Sequence, residues 1–163
     1  MRIAEADALM RVVAGWAKRR EDIRAMALVG SWARGHPSRA SDLDLLLLSE
    51  RPADYRRRRR WLREIDFRAA GFRPRSSEGA TYGAAWSLHV HLRPVAEVEL
   101  TFAGCAWANT TPIDDGTRSV VAEGLRIIFD RDGMLAKLVD AVALNVARSG
   151  RDATGTQGTC TLL

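Results

Sequence analysis

Two short apolar runs, residues 23–29 and 43–48, restrict what this chain can fold into more than any other feature. Each is too brief for an ordinary helix and reads as a buried strand. The first ends in Gly30-Ser31, and the second opens with Asp42-Leu43-Asp44. The intervening SWARGHPSRAS begins with Ser31, a residue suited to capping a helix, and is broken by Gly35 and Pro37. It has room for about one or two helical turns. The expected central unit is strand, short helix, strand.

Other elements pack around that unit. Ala8, Leu9, Val12, Val13 and Trp16 recur at three- and four-residue intervals, predicting an amphipathic helix over residues 4–19. Residues 53–69 read as one further helix, with Tyr55, Trp61, Leu62 and Ile65 toward the core. The arginines at 56–60 spread around its exposed side and read as a solvated face. After Gly71 the period changes to two. Trp86, Leu88, Val90 and Leu92 alternate with Ala85, Ser87, His89 and His91 until Pro94 ends the run. Residues 96–102 follow closely, with Val98, Leu100 and Phe102 on one face and Glu97, Glu99 and Thr101 on the other, so the two runs read as a hairpin.

A loop with Trp107, Pro112 and Asp114-Asp115 leads to a short strand at 125–129, a turn at 130–133 and a closing helix over 134–148. Leu135, Leu138, Val139, Val142 and Val146 form the apolar stripe of that helix. Residues 1–148 are thus expected to form one domain, and the Gly-, Thr- and Ser-rich residues 149–163 a disordered tail.

Composition narrows the function classes. The 163 residues are 47% hydrophobic and 28% charged, which suits one globular core. The 25 basic residues exceed the 20 acidic ones, and all but Lys18 and Lys137 of them are Arg. Such a surplus attracts phosphates, although an arginine bias is also a property of base composition. Cys105 and Cys160 are the only cysteines, which argues against a disulfide framework or a Cys-based zinc site and fits a reducing cytoplasm. Apolar runs such as 45–48 are far too short for a bilayer, so no membrane association is expected. The arginine run has no interleaved aromatics, and nucleic acid is not an expected partner.

The chemistry concentrates at the ends of the two strands. Alternation puts Asp42 and Asp44 on one strand face, where two carboxylates repel unless a divalent cation neutralises them. Hard oxygen ligands favour Mg²⁺ or Mn²⁺. At Gly30 a phosphate can approach the backbone, Ser31 offers a hydroxyl, and a helix starting there would aim N–H groups at an anion. His89 and His91 share a face but lack an evident third ligand, and a structural role is favoured. Trp86 and Trp107 read first as core residues, with stacking on a base as the alternative. Asp114-Asp115 is read equally well as a general base and as a turn preceding a helix.

Taken together, Gly30-Ser31, the arginine of Trp32-Ala33-Arg34-Gly35 and Ser41-Asp42-Leu43-Asp44-Leu45 resemble the signature of the polymerase-beta-like nucleotidyltransferase superfamily. GSWARG with SDLDL is especially similar to its minimal bacterial members, and Val98-Glu99-Leu100-Thr101-Phe102 to a strand of aminoglycoside nucleotidyltransferases. The resemblance implies an α/β (α+β) fold, with a small mixed, mostly antiparallel sheet flanked by helices. It implies Asp42, Asp44 and Glu99 as catalytic metal ligands for two Mg²⁺ or Mn²⁺ ions, with Glu99 chosen over Glu97. Gly30, Ser31, Arg34 and Arg118 are the implied nucleotide-binding residues.

The activity implied is transfer of a nucleoside monophosphate from an NTP, ATP by preference, to a hydroxyl with release of pyrophosphate. The acceptor stays open. A small aminoglycoside-like compound leads. The alternatives are an antitoxin that adenylylates a partner toxin and a non-catalytic binding module of the same fold. A partner protein and a homodimer are both compatible with the chain.

Overall fold

The computed structural model of the protein describes residues 1–152. Helix α1 (Ile3–Lys18) precedes strand β1 (Ile23–Leu28), the short helix α2 (Gly30–Ala33) and strand β2 (Leu43–Ser49). Helix α3 (Pro52–Arg57) and two 3₁₀ segments (Arg59–Glu64 and Phe67–Ala70) lead to strands β3 (Arg73–Tyr82), β4 (Ala85–Arg93) and β5 (Ala96–Gly104). A third 3₁₀ segment (Cys105–Ala108), helix α4 (Asp115–Glu123), strand β6 (Arg126–Asp130) and helix α5 (Met134–Asp152) complete the order. The expected mixed sheet has six strands in the order β3-β4-β5-β2-β1-β6. β2 and β5 run parallel; the other neighbouring pairs are antiparallel.

Strand alternation divides the apolar residues into two layers. On one face Met26, Leu28, Leu43, Leu45 and Leu47 join Leu88, Val90, Leu100 and Phe102 beneath α1 and the first two 3₁₀ segments. On the other, Ala25, Ala27, Leu46, Leu48 and Ala103 pack with Ala108, Val121, Leu135, Leu138 and Val142. Residues 45–48 are consecutive leucines because β2 is central and buried on both sides, so either face calls for an apolar side chain.

Three expectations need correction. The single helix over 53–69 is broken at Arg58, whose φ of −130° and ψ of 89° are not helical. The break lets Trp61 turn inward. Its indole Nε1 donates to the Tyr55 carbonyl at 2.8 Å, and its ring packs against Trp16, Tyr55 and Phe102. Phe67, 1% exposed, is a further core residue of this segment. Second, residues 73–82 form an edge strand with no apolar alternation, because hydrogen bonds to β4 rather than burial hold it. Third, the stretch before β6 contains α4. Asp114 caps it, accepting from Thr117 N–H at 3.0 Å, so of the two readings of Asp114-Asp115 the turn before a helix describes its position. Helix α5 extends past residue 148; the tail reading from residue 153 onward lies outside the described residues.

Candidate active site

Asp44 lies in β2, and Asp42 just before it. The parallel register with β5 sets Asp44 directly opposite Glu99, and the antiparallel register with β4 sets Glu99 opposite His89. Thus the topology brings Asp44 and Glu99, 55 positions apart in sequence, side by side on the face lined by Leu46, Thr101 and Ala103. An open cleft of ≈ 1080 Å³ lies over that face. The tip of the β3–β4 hairpin, Tyr82 to Ala85, lines it together with Trp107, Asn109 and Pro112.

Gly30 is fixed by this arrangement. Its φ is +69°, and a Cβ built there would stand 2.0 Å from Asp44 Oδ2. The glycine therefore permits both a left-handed turn and the approach of the carboxylate. Val29 N–H donates to the Asp44 carbonyl at 3.0 Å, locking the turn to the strand. Because α2 has only four residues, its dipole adds little; the local features are the glycine turn and the adjacent Ser31.

The electrostatics are those of crowded anions. Asp44 is pushed up to about 7 by burial, with Glu99 and Asp42 adding repulsion. Asp42 is also raised, first by burial and then by the charge of Glu97. Both effects destabilise the ionised carboxylates in the absence of a cation. Arg34 lines the cleft and opposes the shift of Asp44; its guanidinium lies 3.3 Å from Glu123 on α4. Arg118 faces Asp115 of its own helix at 4.0 Å and is not among the residues lining the cleft.

Glu97 and Glu99 are in different surroundings. Glu97 is held between two imidazoles, with Oε1 3.0 Å from His89 Nδ1 and Oε2 3.1 Å from His91 Nδ1. Glu99 accepts from Thr101 Oγ1 at 3.1 Å, and that hydroxyl is 2.7 Å from Ser87 Oγ. His89 Nδ1 is 3.9 Å from Glu99. The histidines thus brace the acidic row, while Ser87 and Thr101 are neighbours of the site that sequence reading passed over. Their alternation with Leu88 and Leu100 was the available signal. Trp86 packs in the core and Trp107 lines the cleft.

Among the described residues, no three His, Cys, Asp or Glu side chains are gathered into a ready-made metal-ligand group. The donor chemistry nevertheless fits a hard divalent cation, since Asp42, Asp44 and Glu99 present only carboxylate oxygens and repel one another.

A nucleotidyltransferase domain model matches residues 9–80, which include Gly30, Ser31, Asp42 and Asp44 but not Glu99. No curated protein matches the chain. Among solved structures, an aminoglycoside 6-adenyltransferase from Bacillus subtilis is similar in fold, with a TM-score of 0.50 and 14% sequence identity. The likeness covers 77% of this chain and 40% of that one, so the chain spans less than half the length of that enzyme. Over the Gly-Ser turn and the aspartate pair the chain is similar to nucleotidyltransferase domains, and its fold is similar to that of an adenyltransferase.

Proposed function

We propose that the protein transfers a nucleoside monophosphate from an NTP to the hydroxyl of a small acceptor, releasing pyrophosphate, and that it requires Mg²⁺ or Mn²⁺. The observation that carries this reading is the placement of Asp44 opposite Glu99, with Asp42 close enough to raise the Asp44 pKa. Asp42, Asp44 and Glu99 are the residues assigned to hold the metal. The chemistry supplied by two divalent ions is neutralisation of the triphosphate and leaving pyrophosphate and a lowered pKa for the acceptor hydroxyl.

The chain's own groups have separable tasks. Gly30 gives the phosphates access to the backbone, and Ser31 offers a hydroxyl to a terminal phosphate. Arg34, already on the cleft, stabilises charge at the phosphates. Arg118 is retained as an outer phosphate contact from α4. ATP is the nucleotide assigned, from the adenyltransferase likeness.

For the acceptor, the cleft supports a small molecule bearing positive charge. Its lining includes Asp44, Glu99, Asp114 and Glu123 against the single cation Arg34. An aminoglycoside-like compound meets both requirements, a hydroxyl and ammonium groups. The volume suits a nucleotide with such an acceptor beside it.

The test compares two neighbouring carboxylates. Glu99→Gln is expected to lower pyrophosphate release more than about 100-fold and to weaken Mn²⁺ binding measured by electron paramagnetic resonance. Glu97→Gln, held between histidines, is expected to cost less than about tenfold, well below the ~100-fold scale of one charge-stabilising group. Equal losses in both variants would remove the assignment of Glu99.

A further inference from the structure

The net charge of +5 is not spread over the molecule. Residues 51–75 carry ten arginines against three acids, while the rest of the chain is slightly acidic. All ten arginines are exposed. The three acids are already engaged: Glu64 pairs with Arg20, Asp54 faces Arg57 at 4.0 Å, and Asp66 caps the second 3₁₀ segment. Arg59 lies over the Trp86 ring at 5.3 Å, and Arg51 is 3.8 Å from Asp22. The other seven arginines of the segment make no ion pair among the described residues.

The broken helix determines where this charge goes. With α3 ending at Arg57, the following 3₁₀ segment lies against the sheet beside β3 and β4, where the Arg59 guanidinium reaches Gly79. β3 is the edge strand. At its other end Arg73 stands in register opposite Arg93 of β4, a like-charge cross-strand pair of the kind that destabilises a sheet. Arg75 adds a further exposed cation between these points. Edge protection accounts for Pro74 and a charge or two on such a strand. It does not account for an unpaired surplus concentrated in one segment.

We propose that this arginine-rich edge binds the phosphate backbone of a nucleic acid. From Arg73 to Gly79 the strand spans about 20 Å at ~3.3 Å per residue. This length faces about six phosphates of one strand at ~3.4 Å each. Arginine is suited to bidentate phosphate contacts. An acidic protein is the less fitting partner, because a protein interface needs buried apolar anchors. The exposed large apolar side chains of the described residues are Ile3, Tyr82, Val95, Ile127 and Leu144, and only Tyr82 and Val95 adjoin β3 and β4, at their ends. The inference concerns a surface separate from the metal-ligand carboxylates and requires neither metal nor turnover.

The experiment is fluorescence anisotropy of the full chain with a labelled 20-nucleotide DNA, single-stranded and duplex, in EDTA across a salt series. The band variant is Arg58→Gln, Arg60→Gln, Arg75→Gln. The control, Arg11→Gln, Arg126→Gln, Lys137→Gln, removes the same charge elsewhere. Wild type is expected to bind at least one form with log K falling linearly in log salt. The band variant should flatten that slope by about two on single strands, at ~0.7 per lost contact, and the control should barely change it. Circular dichroism checks that both variants fold. Absence of wild-type binding at low salt, equal losses in both variants, or stronger binding of a labelled poly-glutamate peptide would each overturn the proposal.

Discussion

Replacing Gly30 by alanine separates backbone strain from displacement of a carboxylate, because a second glycine provides the control. Gly30 and Gly35 have φ values of +69° and +76°. Either substitution places an L side chain in the left-handed region, at a cost of about 1–2 kcal/mol. Around Gly35 an added Cβ meets nothing within 4 Å, whereas at Gly30 it would stand 2.0 Å from Asp44 Oδ2. Reaching ordinary contact requires a relative movement of about 1.4 Å, and a misplacement of ~1 Å at a reacting centre costs about 100-fold in rate. Gly30→Ala should therefore lose about 100-fold or more in pyrophosphate release, while Gly35→Ala loses little. Urea unfolding should show Gly35→Ala destabilised by about 1–2 kcal/mol and Gly30→Ala by at least as much. Equal activity in the two would show that the approach of Gly30 to Asp44 has no catalytic consequence.

The raised Asp44 pKa predicts a pH dependence. Between about 4 and about 7 the folded protein retains a proton that the unfolded chain releases, so this group's contribution to stability falls as pH rises through that window. In EDTA, Asp44→Asn should raise the melting temperature at pH 8 relative to wild type and give no such gain at pH 4; a lower melting temperature at pH 8 would contradict this. Away from the site, Asp22 accepts from Ser49 Oγ and Tyr55 Oη, each at 2.8 Å. Tyr55→Phe should cost about 1–3 kcal/mol in urea unfolding by removing one donor from this buried carboxylate. A loss within error of zero would show that the bond adds no net stability.

The elements legible in the sequence were those with a strong burial pattern. The α1 stripe and the alternation of residues 85–92 each met one apolar face, the two central strands were buried on both, and the observed boundaries fall close to the expected ones. β3 was invisible for the opposite reason. RPRSSEGATY has no apolar side to read, and the partner strand supplies its order. The arginine run concealed the break at Arg58, since exposed arginines fit a long helix as well as a short one; Trp61 decides between them through its packing on Trp16 and Phe102. At the site, Gly30 and the Asp42, Asp44 pair stood out locally. Their relation to Glu99 depended on the parallel register of β2 with β5, which no local pattern encodes. The two histidines could be seen to share a face, but not that Glu97 lies between them.

The most direct test of the account follows the α-phosphoryl group. The wild-type chain and the Asp42→Ala, Asp44→Ala variant are incubated with Mg²⁺, a hydroxyl-bearing cationic acceptor and ATP labelled at either the α- or the γ-phosphorus. Wild type is expected to move the α-label onto the acceptor and release the γ-label as pyrophosphate, and the variant to do neither. Release of the γ-label as orthophosphate, or α-label transfer that survives loss of both aspartates, would contradict it.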